Sequence, residues 1–172
     1  LAKCYYPGGT NIQELDHEIA LRRTVELLKN DCIIYEAAFA YQYLFIRADI
    51  IIKKGKCIRL IEVKAKSIDS EDEKDTFFSV KDNDIRKKWK PYLYDVAFQK
   101  HVIEKAYPDH KVEASLLLVD KSRIATVDGL NQRFMIQTDA RGRISVNIVG
   151  DVSLNAVGSK ILVEINVDDL VD

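Results

Sequence analysis

Cysteine is scarce in this chain. Among 172 residues there are three, Cys4, Cys32 and Cys57, and no two stand in a C-x-x-C spacing. An odd count argues against a disulfide framework. Three thiols also fall short of the four thiolates an iron–sulfur cluster takes, so no cluster is expected. They read as buried or half-buried free thiols, which suits a cytoplasmic protein. Long apolar runs are missing too. Nothing approaches the length of a membrane span and no secretory signal is visible, so no membrane partner is expected. Charge of neither sign dominates: 26 Lys and Arg face 27 Asp and Glu, a formal net charge of −1. There is thus no global basic field to draw in nucleic acid. No G-x-x-x-x-G-K-[ST] run is present, which removes the best sign of nucleotide hydrolysis. No Ser or Cys is arranged as a nucleophile. His101 and His110 have no metal-ligand partner at useful spacing and read as surface residues.

Against these absences, one stretch stands out. Arg47-Ala48-Asp49-Ile50-Ile51-Ile52 and Leu60-Ile61-Glu62-Val63-Lys64 are two apolar runs that carry Asp49, Glu62 and Lys64. Between them lies Lys53-Lys54-Gly55-Lys56, and Gly at the first of two central positions suits a type II′ hairpin. In that register Lys54 pairs with Cys57 and Lys53 with Ile58, and Asp49 falls directly opposite Glu62. Like charges facing each other across a ladder destabilise it. A divalent cation shared by both carboxylates removes the conflict, because hard cations take oxygen ligands. Lys64, two residues beyond Glu62, projects from the same face. A second reading of the acids stands beside this one, a salt bridge from Glu62 to Arg47 or Lys64. Glu36 is a third acid. With a tight Tyr41–Leu44 turn it sits beside Asp49, as a metal ligand or supporting group, or else as a plain exposed carboxylate.

Around that hairpin the periodicity predicts a helix over Asn11–Asn30, with Ile12, Leu15, Ile19, Leu27 and Leu28 along it. Strands are expected over Ile33–Phe39, Phe45–Lys53 and Cys57–Ala65, apolar on both faces as central strands are. Residues 67–84 are a charged loop or insertion, with Phe77, Phe78 and Val80 to pin its middle. A helix follows over Lys90–Tyr107, then a strand over Val112–Val119. Beyond it, Phe134–Gln137, Arg143–Val149 and Ile161–Val167 read as short strands or extended tails.

The whole pattern resembles the PD-(D/E)xK nuclease superfamily, in particular its RecB-like branch. Asp49 stands at the motif's aspartate, with Ala48 where proline is usual, and Glu62-Val63-Lys64 stands as the E-x-K. Tyr92-Leu93-Tyr94-Asp95-Val96-Ala97-Phe98-Gln99 resembles the branch's glutamine-bearing helix, with Ile103 where a tyrosine is frequent. Residues Ile33 to Val119 follow its strand–strand–strand–helix–strand order, roughly half the chain. The CRISPR-associated exonucleases of this branch carry four cluster cysteines, which this chain lacks.

The resemblance implies an α/β fold with a restriction-endonuclease-like core, a mixed central β-sheet flanked by helices. It implies Mg²⁺- or Mn²⁺-dependent hydrolysis of DNA phosphodiesters, with RNA not excluded as substrate. Asp49, Glu62 and the Val63 main-chain carbonyl would hold the ion, with Glu36 as a further ligand. Lys64 would act on the attacking water or the phosphate, and Gln99 would orient the water. Tyr94 and Asp95 are weaker candidates. Nucleic acid would meet Arg47, Lys66, Lys87 and Lys88, within a wider basic rim that includes Lys53, Lys54, Lys56, Arg86 and Lys90. Many relatives place an acid or histidine on a helix before the first strand; His17 and Glu18 are read here as surface residues. A nuclease-fold binding module without turnover and an RNA-processing nuclease are the alternatives. The chain reads as a single domain over 1–172, with its core at about 11–120 and a C-terminal extension at 121–172. Its opening, without Met and broken by Pro7-Gly8-Gly9, reads as a fragment of a longer protein.

Overall fold

The computed structural model describes residues 1–72, 77–79, 84–138, 142 and 144–171. A short helix, α1 (Ala2–Tyr5), precedes a two-residue strand, β1 (Thr10–Asn11), and then helix α2 (His17–Leu27). Three long strands follow: β2 (Cys32–Tyr41), β3 (Leu44–Lys54) and β4 (Cys57–Ile68). Helix α3 (Lys90–Ala106) and strand β5 (Lys111–Asp120) come next. The rest holds a hairpin, β6 (Phe134–Thr138) with β7 (Ile144–Ile148), then strand β8 (Leu162–Asn166) and helix α4 (Asp168–Val171). Six strands form one mixed sheet in the order β1-β2-β3-β4-β5-β8. The pairs β1–β2 and β4–β5 are parallel and the others antiparallel. This is the mixed α/β architecture that the sequence pattern implies.

The central strands bury both faces, as near-continuous apolar runs should. Ile50, Ile52, Ile61 and Leu117 join Tyr35 in one buried cluster, against which Ala2 and Tyr6 of the α1 region pack. Their neighbours Ile51, Leu60, Ala114 and Leu116 point the other way. There they join Leu93, Val96, Val102 and Ile103 of α3. Alternation of side chains along a strand therefore sorts each residue to α1 or to α3. Glu62 and Lys64 share the parity of Leu60 and so belong to the α3 side.

The helix expected over Asn11–Asn30 starts later. Asn11 is still extended and pairs with Tyr35; the Ile12 N–H donates to the Tyr35 carbonyl at 3.0 Å. Asp16 then caps α2, its Oδ1 accepting the Ile19 N–H at 2.9 Å, as N-cap aspartates do. The buried face also differs. Ala20, Thr24 and Leu28 are buried, while Leu15 is 77% exposed. Spacing by four residues sets this stripe, and its small members let the helix approach the sheet edge closely. Thr24 Oγ1 donates to the Ala20 carbonyl and accepts the Ala38 N–H at 2.9 Å. Helix α2 thus satisfies the edge of β2 where β1 has ended.

In the charged segment, Phe77 is buried with its ring 5.0 Å from that of Trp89. Phe78 bridges to Ile85; Val80 lies outside the described residues. Strand β8 joins the sheet beside β5, and Asp168 just beyond it reaches α3 by accepting from Lys100 at 3.0 Å. No helix among the described residues is long and apolar enough to cross a membrane.

The α2 edge contact is open to test. Thr24→Val removes the acceptor for a buried N–H at nearly constant volume, and an unsatisfied buried donor costs about 1–3 kcal/mol. Urea denaturation should show that loss, and Thr24→Ser, which keeps the hydroxyl, should recover most of it.

Candidate active site

Two tight turns set the level of the three strand acids of the site. Gln42-Tyr43 joins β2 to β3, with Tyr41 paired to Leu44. Gly55-Lys56 joins β3 to β4, with Lys54 paired to Cys57 and Lys53 to Ile58. Gly55 has φ +55° and Lys56 is not left-handed, as a type II′ turn requires. Along β2 and β3, Tyr35 pairs with Ile50 and Ala37 with Ala48, so Glu36 and Asp49 share the level between. Along β3 and β4, Ile50 pairs with Ile61, and one residue further on Asp49 faces Glu62. Glu36, Asp49 and Glu62 therefore cross three adjacent strands in one row.

The ladder itself opens at this row. Asp49 Oδ2 accepts the Val63 N–H at 2.8 Å, a carboxylate taking the place of a backbone carbonyl. Glu36 has φ +58°, a left-handed conformation that costs a residue with a Cβ about 1–3 kcal/mol. On the other side, the pairing of β4 with β5 shifts register between Val63 and Ser67. Such bulges bend a strand and re-aim its side chains, and Lys64 sits inside this one.

Lys64 is the hub. Its Nζ donates to Glu62 Oε1 at 2.8 Å and to Asp95 Oδ2 at 2.5 Å. It also lies 5.9 Å from the centre of the Tyr92 ring, and Lys66 Nζ lies 5.7 Å from the same ring. Gln99, one helical turn beyond Asp95, donates from Nε2 to Asp95 Oδ1 at 3.3 Å. Glu62 and Gln99 are both buried. Among the described residues, two acceptors there have no donor, Glu62 Oε2 and Gln99 Oε1.

Electrostatics follow from burial and crowding. Burial pushes the Asp49 carboxyl above its ordinary value, the charges of Glu36 and Asp95 add to this, and the Val63 N–H opposes it. Burial also raises Glu62, Asp49 adds to the rise, and the bond from Lys64 opposes it. For Lys64 burial acts to lower the pKa, but its bonds to Asp95 and Glu62 outweigh that and the net shift is upward. Of the row and Asp95, only Glu62 and Asp95 bond the Lys64 ammonium.

The other expected residues fall out as follows. Arg47 is spent on structure: its Nη1 donates to the Glu14 carbonyl at 2.9 Å and its Nη2 to the Ile12 carbonyl at 2.7 Å. Lys66, Lys87 and Lys88 are exposed, Lys88 with its Nζ 5.0 Å from the Trp89 ring centre. Tyr94 is 69% exposed, whereas Asp95 is at the heart of the site. Its signal in the sequence was the spacing of four to Gln99, which puts both on one helix face. His17 is exposed and stacks on Phe45 with ring centres 4.0 Å apart.

No family model, curated protein or solved structure matches this chain. The chemistry of the site rests on its own geometry. Among the described residues, no three His, Cys, Asp or Glu side chains converge closely enough to hold a metal ion. The salt-bridge reading is realised by Lys64 and not by Arg47. It satisfies one oxygen of Glu62 and leaves the buried Oε2 without a partner. Carboxylate and carbonyl oxygens are the donor type that Mg²⁺ and Mn²⁺ take, and the buried Glu62 Oε2 is one such oxygen left without a partner.

The raised carboxyl values fix a sign. A native pKa above the unfolded one means the native state binds the proton more tightly, so stability falls as pH rises through that interval. Above that interval the cost of both charges is expressed. Asp49→Asn keeps an oxygen for the Val63 N–H and removes one charge. Its urea midpoint at pH 7 should equal or exceed that of the wild type without metal, and the advantage should shrink as pH falls toward 4. A clear loss of stability at pH 7 would show instead that the Asp49 charge holds the fold together.

Proposed function

We propose that this chain is a metal-dependent phosphodiester hydrolase acting on DNA, with a restriction-endonuclease-like core of the PD-(D/E)xK, RecB-like kind. The observation that carries the reading is the row of Glu36, Asp49 and Glu62 across β2, β3 and β4, with Lys64 and Gln99 converging on its Glu62 end. Asp49, Glu62 and the Val63 carbonyl would hold Mg²⁺ or Mn²⁺, with Glu36 as a further ligand. When bound, the ion polarises the phosphate and lowers the pKa of its water. The chain's own groups do the remainder. The Lys64 ammonium, held from two sides, presents an N–H to the attacking water or to a phosphate oxygen and stabilises charge as it develops. The buried Gln99 fixes the orientation of Asp95 and offers its free Oε1 to a water. Lys66, Lys87 and Lys88 supply an exposed basic rim for flanking phosphates, compensating for a chain with no basic field of its own. These groups address phosphate and not the 2′-hydroxyl, so they do not by themselves separate DNA from RNA.

A second reading, a nuclease-fold module that binds nucleic acid without turnover, draws on one observation. The Lys64–Glu62 bridge already neutralises an acid, and the carboxylates stand apart rather than around a common point.

The two readings part in the same assays. For the hydrolase, Mn²⁺ should raise the melting temperature of the wild type and EDTA should reverse it, since a ligand at 100 times its Kd adds about 2.7 kcal/mol. Asp49→Asn should lose that rise together with plasmid nicking. Lys64→Ala should keep Mn²⁺ affinity by calorimetry and lose about 100-fold or more in nicking rate, as when one charge-stabilising donor is removed. Lys64→Arg should also be poor, because its planar fork does not replace a compact ammonium. Retention of DNA by the wild type with no nicking in Mn²⁺ would favour the inert module.

A further inference from the structure

Asp95 has no place in the E-x-K pattern, yet it makes the shortest bond in the site. We infer that Asp95 is the positioning residue for Lys64, holding the ammonium in place when Glu62 gives its oxygens to a metal ion; this rests on the hydrolase reading above. The geometry carries it. Lys64 Nζ stands between two carboxylates on two different elements, Glu62 on β4 at 2.8 Å and Asp95 on α3 at 2.5 Å. A carboxylate that ligates a divalent ion shares its lone pairs with that ion, and its hold on a neighbouring ammonium weakens. Of the two anchors, Asp95 is the one outside the acid row, on α3.

The Asp95 carboxylate is itself held from behind. Gln99 Nε2 donates to Oδ1, which leaves Oδ2 directed at Lys64. Gln99 is buried, and its helix is tied down one residue later by Lys100, which is also buried and bonds Asp168 at 3.0 Å. The chain of bonds from Gln99 to Asp95, Lys64 and Glu62 therefore runs from a fixed helix to a bulged strand. Such a network orients a charge that the flexible four-carbon stem of lysine does not orient by itself. Gln99 then acts on the reaction through Asp95 as much as through a water.

The test is a cycle of Asp95→Asn, Lys64→Ala and the double variant, with Asp95→Glu as the conservative control, all in the full chain. Nicking kinetics give kcat and KM, and calorimetry gives Mn²⁺ affinity. Asp95→Asn should lower kcat by 10-fold or more with KM for DNA changed less than threefold and Mn²⁺ affinity changed less than threefold. Asp95→Glu should recover most of the rate. In the Lys64→Ala background, Asp95→Asn should change nothing further. Full loss in both backgrounds, independent of Lys64, would overturn the inference, as would a tenfold loss of Mn²⁺ affinity, which would make Asp95 a metal ligand. A wild type inactive with Mn²⁺ overturns the hydrolase reading itself, and with it any role for Asp95 in turnover. An active wild type with unimpaired Asp95→Asn removes only the Asp95 role.

Discussion

Side chains on a β-strand alternate faces, so a slip of one residue at either hairpin would send a carboxylate to the wrong side of the sheet. The β2–β3 and β3–β4 connections are both two-residue turns with no slack in them. Through them, Glu36, Asp49 and Glu62 are forced to one level. The apolar residues on either side enforce the same register, because Ile51 and Leu60 are sorted to one buried cluster and Ile50 and Ile61 to the other. A one-residue slip would put the acids where apolar side chains now pack, and burying an unpaired charge is costly. A hydrophobic requirement thus holds an electrostatically unfavourable arrangement in place.

That arrangement is balanced by few groups. One lysine, one backbone N–H and one amide stand against four carboxylates. The balance is local: the chain as a whole has almost equal numbers of acids and bases. The left-handed Glu36 stands at one end of the row and the bulge at Lys64 lies beside the other, so both irregularities lie where the charges are. Regular strands of apolar residues surround these departures, and local strain of this kind persists only where neighbouring structure over-determines it.

Much of this was legible in the residues themselves. The Lys54–Cys57 pairing follows from Gly55 and the two-residue loop, and the facing of Asp49 and Glu62 follows from counting back. The three long strands announce themselves through dense apolar residues, Ile33-Ile34 and Ala37-Ala38-Phe39, then Ile50-Ile51-Ile52, then Ile58, Leu60, Ile61 and Val63, and α3 through its apolar stripe. Glu36 was less legible because Gln42-Tyr43 contains no glycine to mark a tight turn; Gln42 nonetheless adopts φ +54°. The start of α2 was misplaced because Ile12 and Leu15 fit a helical period by accident. Ile12 is buried from an extended segment and Leu15 is exposed. The true buried stripe uses Ala20 and Thr24, which carry little hydrophobic signal. Arg47 looked like a ligand for phosphate, and its engagement with the Ile12 and Glu14 carbonyls depends on a loop path that no local pattern encodes. Strand β8 was visible as an extended run, but its partner β5 lies more than forty residues earlier, beyond the reach of periodicity.

The Lys100–Asp168 tie has a consequence in time. A chain emerges from the ribosome N-terminus first, at roughly 5–20 residues per second. The strands carrying Glu36, Asp49 and Glu62 are therefore available long before Asp168, which grips α3 from 68 positions downstream. Until that grip forms, the helix bearing Asp95 and Gln99 lacks its tether, and β5 lacks the neighbour at its outer edge. The acid row is translated early, whereas the helix that steadies its lysine is secured several seconds later, so the nascent chain passes through an interval in which the charges exist without the scaffold that organises them.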